Sequence, residues 1–105
     1  MKGKLVRDKI PEIIRNHGEI PRTRILSATE YRQELFRKLV EESSEAQNAK
    51  TKKDRVMELA DIEEVLATIR DNLQIDKRTI ALAQNKKRKE RGGFLKRFFL
   101  LTTKP

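Results

Sequence analysis

The chain has 105 residues, 36% hydrophobic and 39% charged, with 25 Lys and Arg against 16 Asp and Glu, a formal charge of +9. That length suits a single domain with a thin core and leaves little room for a second, so association into a dimer or tetramer that buries more apolar surface is expected. The absence of cysteine excludes disulfides, thiolate metal sites and cysteine nucleophiles. No segment approaches the roughly 20 apolar residues of a membrane span.

The opening MKGKLVRDKIPEII has no apolar stretch of signal-peptide type, and a cytoplasmic protein without membrane attachment is expected. Leu5 and Val6 form a short extended lead-in. Pro11 then suits a first helical turn, Ile13 and Ile14 follow, and Gly18 marks the end of one short helix. Thr23 to Leu26 reads as extended.

Ser27 with Glu30 three residues later is a capping box ahead of a long helix from about Ala28 to Lys50. Tyr31, Leu35, Leu39, Ala46 and Ala49 make its apolar stripe, and at about 100° per residue Glu42 falls near the centre. Glu45 lies at the edge of the stripe, toward Glu41. An unpaired carboxylate on a core face costs several kcal/mol or protonates, so Glu42 calls for a cation or a hydrogen-bonded partner.

The polar stretch Lys50 to Asp54 is expected to hold the turn, with Asp54 as N-cap of a second long helix from about Arg55 to Asn72. Its apolar face is Leu59, Ile62, Leu66, Ile69 and Leu73, with Val65 alongside. Glu58 projects within that arc, Asp61 at its margin, and Glu64 one turn further on. A third long helix starts near Asp76, is expected to bury Ile80, Leu82 and Ala83, and runs through KKRKER to Gly92 and Gly93. The tail FLKRFFLL tolerates extended structure and could pair with the N-terminal lead-in or with Thr23 to Leu26. The fold class is therefore all-α, with two antiparallel central helices, a short N-terminal helix and at most minor β pairing of the terminal segments.

The acids carry the chemistry. Glu42 and Glu45, and Glu58 and Asp61, are each three apart, so each pair shares a helix face. Packed antiparallel, the two helices would bring four carboxylates together, which is unfavourable unless something positive lies between them. One such pair alone is an ordinary solvated face. Two pairs on consecutive helices, each with a member in the apolar arc, point to a metal, and an all-carboxylate set selects Mg²⁺, with Mn²⁺ the alternative, over zinc.

The basic segment Lys86, Lys87, Arg88, Lys89 and Arg91 has two readings: a solvated helix end that suits the dipole, or a set of phosphate contacts. Arg7 and Lys9 invite the same two. His17 reads as an exposed capping residue. Ser27, Ser43 and Ser44 have no histidine base nearby, and there is no phosphate-binding loop, so nucleotide binding would rest on side chains and metal.

The ordered set Glu41, Glu42, Glu45 (EExxE) then Glu58, Asp61 (ExxD), with KLVRDKIPEII at Lys4 to Ile14, TRIL at Thr23 to Leu26 and KKRKERGGF at Lys86 to Phe94, resembles the MazG-like all-α nucleotide pyrophosphohydrolases. The branch it is most similar to is the small phosphoribosyl-ATP pyrophosphohydrolase-like one. The likeness runs from Lys4 to about Leu100; the basic balance and the serines of EESSE depart from the pattern. It implies a helical bundle and cleavage of a nucleotide between the α and β phosphates to a monophosphate and pyrophosphate. It implies further that Glu42, Glu45, Glu58 and Asp61 hold Mg²⁺, which bridges phosphate oxygens and activates the attacking water. Glu41 would orient or deprotonate that water, and Arg7, Lys9, Lys87 and Arg91 would offset phosphate charge. Glu64 is an additional acid without an assigned role.

A reading of another class is a basic binding or regulatory module on the same scaffold, holding nucleic acid or an acidic partner with its +9 charge. The five aromatics (Tyr31, Phe36, Phe94, Phe98 and Phe99) do not interleave with the basic residues as a base-stacking surface would. Peripheral membrane attachment through Phe94 to Leu101 is the weakest of the three.

Overall fold

The computed structural model describes residues 3–105, and among them there are four helices and no strand: α1 Ile10–Asn16, α2 Ala28–Asn48, α3 Lys52–Asn72 and α4 Lys77–Arg91. The chain divides into two units, one ending at Gln74 and one spanning Ile75–Pro105. The pairing foreseen for the terminal segments is absent among the described residues. Thr23 to Leu26 and Phe98 to Leu101 have the irregular backbone of unpaired chain.

In the first unit, α1 opens with Pro11 in its first turn, where its missing N–H is no loss, and stops at His17. Gly18 takes φ +86°, a conformation that favours glycine. His17 is exposed and its Nδ1 donates to the Ile13 carbonyl at 2.8 Å, which makes it the helix-end residue its sequence context indicates.

α2 begins with the foreseen capping box. Ser27 Oγ accepts from Glu30 N at 3.2 Å, and Glu30 Oε1 accepts from Ser27 N at 3.2 Å. Arg24 reinforces it with two bonds to the Glu30 carboxylate, at 2.7 and 3.2 Å. That guanidinium, with the Ser27 contacts, holds the Glu30 carboxyl down at about 2.

α3 starts three residues earlier than the polar stretch suggests. Thr51, not Asp54, is the N-cap: its hydroxyl accepts from Asp54 N at 3.0 Å, and Asp54 sits in the first turn, where its charge suits the dipole. The turn between α2 and α3 is correspondingly short, Ala49 to Thr51. So short a link forces antiparallel neighbours, and side chains confirm it at both ends. Arg32 Nε in the first turns of α2 donates to Asn72 Oδ1 at the end of α3 at 3.3 Å, and Arg55 Nε donates to the Ala49 carbonyl at 3.1 Å.

The α2 stripe lies where its spacing puts it: Leu35 and Glu42 are buried, and Tyr31, Leu39, Ala46 and Ala49 are half-buried. On α3 the contact face is rotated from the foreseen one. Ile69 is buried and Ile62, Val65 and Leu73 are half-buried, but Leu59 and Leu66 are exposed while Glu58 and Asp61 are half-buried. A single helix can cover only one side of its neighbour, and here it covers the side with the acids. Leu35 and Ile69 are the only buried apolar residues among those described.

The second unit holds α4 and the tail. Asp76 caps α4, its Oδ1 accepting from Thr79 N at 2.7 Å, and the helix ends at Gly92 with φ +80°. Ile80, Leu82 and Ala83, foreseen as buried, are exposed, because the unit offers no second helix or sheet to cover them. Phe94, Leu95, Phe98 and Phe99 are exposed as well. Among the described residues this unit has no buried side chain.

Candidate metal centre

The antiparallel register places the middle of α2 opposite the first half of α3. Spacings of three keep Glu42 beside Glu45 and Glu58 beside Asp61 on their helix faces, and the rotated face of α3 turns its pair toward α2. One carboxylate oxygen from each of Glu42, Glu58 and Asp61 lies within 4.8 Å of the others, and so does one from each of Glu41, Glu42 and Glu45. Glu42 belongs to both groups. It is 5% exposed, Glu41, Glu58 and Asp61 are half-buried, and Glu45 stands on the exposed rim.

This crowding leaves two carboxylate oxygens unpaired. Glu42 Oε2 and Glu58 Oε2 are both shut off from solvent and neither has a hydrogen-bond partner. Burial, with the nearby carboxylates of Glu45 and Glu42, pushes the Glu58 carboxyl above its ordinary value. Two buried acceptors without partners, on two residues of one acid group, are what a bound cation would satisfy. The residues present could therefore hold a metal ion.

Two cations touch the cluster from the protein. Arg7, on the lead-in before α1, places its guanidinium 2.6 Å from Asp61 Oδ1. It was foreseen as a phosphate contact, and the structure brings it to the site while pairing it with an acid. Lys38, one turn ahead of the acids on α2, reaches Glu42 Oε1 at 3.4 Å and Glu41 Oε1 at 3.5 Å. Lys38 is not among the candidates drawn from motif and charge runs. Its signal in the sequence is its spacing, three residues before Glu41 and four before Glu42, which places the three on neighbouring positions of a helix.

Within the first unit, two candidates are not drawn to the acids. Lys9 is the N-terminal flank of α1 and forms no ion pair among the described residues. Glu64 is exposed and belongs to neither acid group. Lys87 and Arg91 lie in the second unit, exposed along α4. Beside the acids, an open cleft of about 360 Å³ is lined by Glu45, Asn48, Ala49, Asp54, Met57 and Glu58. Asn48 and Asp54 enter the site region this way, and neither carries a sequence signal beyond helix-end chemistry.

No helix among the described residues is long and apolar enough to cross a membrane. Compared with family models, with curated proteins and with solved structures, the chain matches none.

Proposed function

We propose that this chain is an Mg²⁺-dependent nucleotide pyrophosphohydrolase, cleaving a nucleoside triphosphate or related nucleotide between the α and β phosphates, in a cytoplasmic setting. The observation that carries the reading is Glu42: a buried acid with an unpartnered oxygen, at the junction of two carboxylate groups contributed by two helices. A buried acid with an unpartnered oxygen costs folding more than its one lysine contact returns, so a metal-dependent activity is the economical reason for it. The nucleotide enters from the resemblance of EExxE, ExxD, VRDKIP and RGGF to the MazG-like enzymes.

In this reading Glu42, Glu45, Glu58 and Asp61 hold the ion. When bound, Mg²⁺ supplies Lewis-acid polarisation of phosphate oxygens and lowers the pKa of water. Glu41, beside the cluster and half-buried, accepts the proton of the attacking water. That water's oxygen joins phosphorus as the P–O bond of the anhydride breaks, and a monophosphate and pyrophosphate separate. Arg7 neutralises charge next to the ligands, and the resemblance alone assigns Lys9, Lys87 and Arg91 to phosphate.

A homo-oligomer, dimer or tetramer, completes the proposal. Phe36, Val40, Leu59 and Leu66 are exposed on the helix pair, whose buried apolar residues are only Leu35 and Ile69. So small a core in a 105-residue chain leaves hydrophobic burial to a second copy.

The test is phosphate release from a panel of nucleotides with Mg²⁺ and added inorganic pyrophosphatase. Turnover of at least one nucleotide, lost in Glu42→Ala, is expected. No turnover of any, or full activity in that variant, overturns the proposal.

The exposed basic run Lys86 to Arg91 supports a second reading, a module binding nucleic acid or an acidic partner. That reading requires steeply salt-dependent DNA or RNA binding which charge reversal on α4 abolishes and Glu42→Ala leaves intact.

A further inference from the structure

Lys38 is only 18% exposed along its side chain, unusual for a lysine on a two-helix hairpin, since lysine ordinarily extends its ammonium into water. Its Nζ instead turns along α2 to Glu42 Oε1 at 3.4 Å and Glu41 Oε1 at 3.5 Å. Glu42 is itself 5% exposed, so this pair is largely desolvated. The other oxygen of Glu42, Oε2, is buried and has no hydrogen-bond partner. The most buried carboxylate thus has one oxygen held by a monovalent cation of the protein and one oxygen free.

We propose that Lys38 is the resident counter-cation of the acid cluster, held on Glu42 in the metal-free protein and displaced when a divalent ion takes that carboxylate. The proposal rests on the metal reading above. A divalent ion and an ammonium sharing one carboxylate repel each other, and in a poorly solvated site that repulsion is weakly screened. The Lys38–Glu42 contact therefore adds to the stability of the empty protein and subtracts from metal affinity. Arg7 cannot serve in the same way, because its contact with Asp61 involves a guanidinium side chain 58% exposed and screened by water. The consequence is a site that stays folded when empty and releases its ion readily.

The experiment is Mn²⁺ titration calorimetry on the full chain, wild type against Lys38→Met and Lys38→Gln, with thermal unfolding measured with and without Mn²⁺. Lys38→Gln keeps an N–H donor while removing the charge, which guards against a variant that fails to fold. Both variants are expected to unfold at lower temperature without metal, to bind Mn²⁺ about five- to tenfold more tightly than wild type, and to gain more from it in unfolding temperature. A purely structural role would lower stability and weaken binding together. Variants that bind Mn²⁺ no tighter than a wild type that does bind overturn the Lys38 assignment alone. A wild type that takes up no Mn²⁺ overturns the metal reading and this assignment with it.

Discussion

Glu42→Leu separates the demands of folding from those of the site. Glu42 lies on the α2 stripe with Leu35, Leu39 and Ala46, 5% exposed, with one oxygen unpartnered. Removing that buried acceptor relieves about 1–3 kcal/mol of desolvation. A leucine in its place buries apolar surface worth about 1.5–3 kcal/mol. Against this stands the loss of the Lys38 contact, about 1 kcal/mol, since Lys38 retains Glu41. Part of the apolar gain is lost to imperfect fit, leaving the metal-free variant more stable than wild type by about 2 kcal/mol. At about 4 °C per kcal/mol for a chain of this size, that is a rise of about 8 °C in unfolding temperature. The assay is urea and thermal unfolding of both proteins at one protomer concentration in a chelator, repeated with Mn²⁺. Mn²⁺ at a hundred times its Kd should stabilise wild type by about 2.7 kcal/mol and Glu42→Leu by far less. A metal-free variant less stable than wild type by about 1 kcal/mol or more, with unchanged urea dependence, would refute the claim that this acid opposes folding.

Glu58 makes a pH prediction of its own. Its carboxyl is raised in the fold from an ordinary 4.5, so the fold favours the protonated form: the benefit is complete below the ordinary value and disappears as pH climbs through the raised one. Without metal, Glu58→Gln should match wild type in acid and exceed it in unfolding temperature at neutral pH; a constant difference across that range would contradict it. Glu30 has the opposite sign, being lowered to about 2, so the stability it lends is present above 4.5 and is lost as pH falls through about 2. The gap in urea midpoint between wild type and Glu30→Gln should accordingly close at the acid end, and a gap undiminished there would show that Arg24 and Ser27 are not its cause. Light scattering coupled to size exclusion should give at least a dimer, and Leu59→Asp, which charges the exposed apolar side of α3, should shift it toward monomer; a monomeric wild type would remove the oligomer from the proposal.

Some elements are legible because their causes are local. The Ser27 and Glu30 capping box, the stop at Gly92 and the Asp76 cap each depend on residues within one helical turn. The start of α3 was harder to place for a reason equally local: Thr51 and Asp54 are both good N-cap residues, and the threonine, coming first, takes the position. The β pairing foreseen for FLKRFFLL and Thr23 to Leu26 drew on residue preference alone. Strand preference expresses itself only against a paired neighbour, and among the described residues none is present.

By itself, the sequence determined which segments are helical, that Glu42 must face inward, and that each pair of acids shares a helix face, since these follow from a repeat of 3.6 residues and from short-range caps. Only the tertiary structure decided that α3 leaves Leu59 and Leu66 outside and brings Asp61 in from the margin of the arc beside Glu58, because an amphipathic arc wider than one neighbour can cover does not say which side it presents. Tertiary structure likewise decided that Arg7, 54 residues away in the chain, meets Asp61. The same holds for Lys38: helical spacing puts it near Glu41 and Glu42, but the partial burial that makes it a counter-cation comes from the folded helix pair.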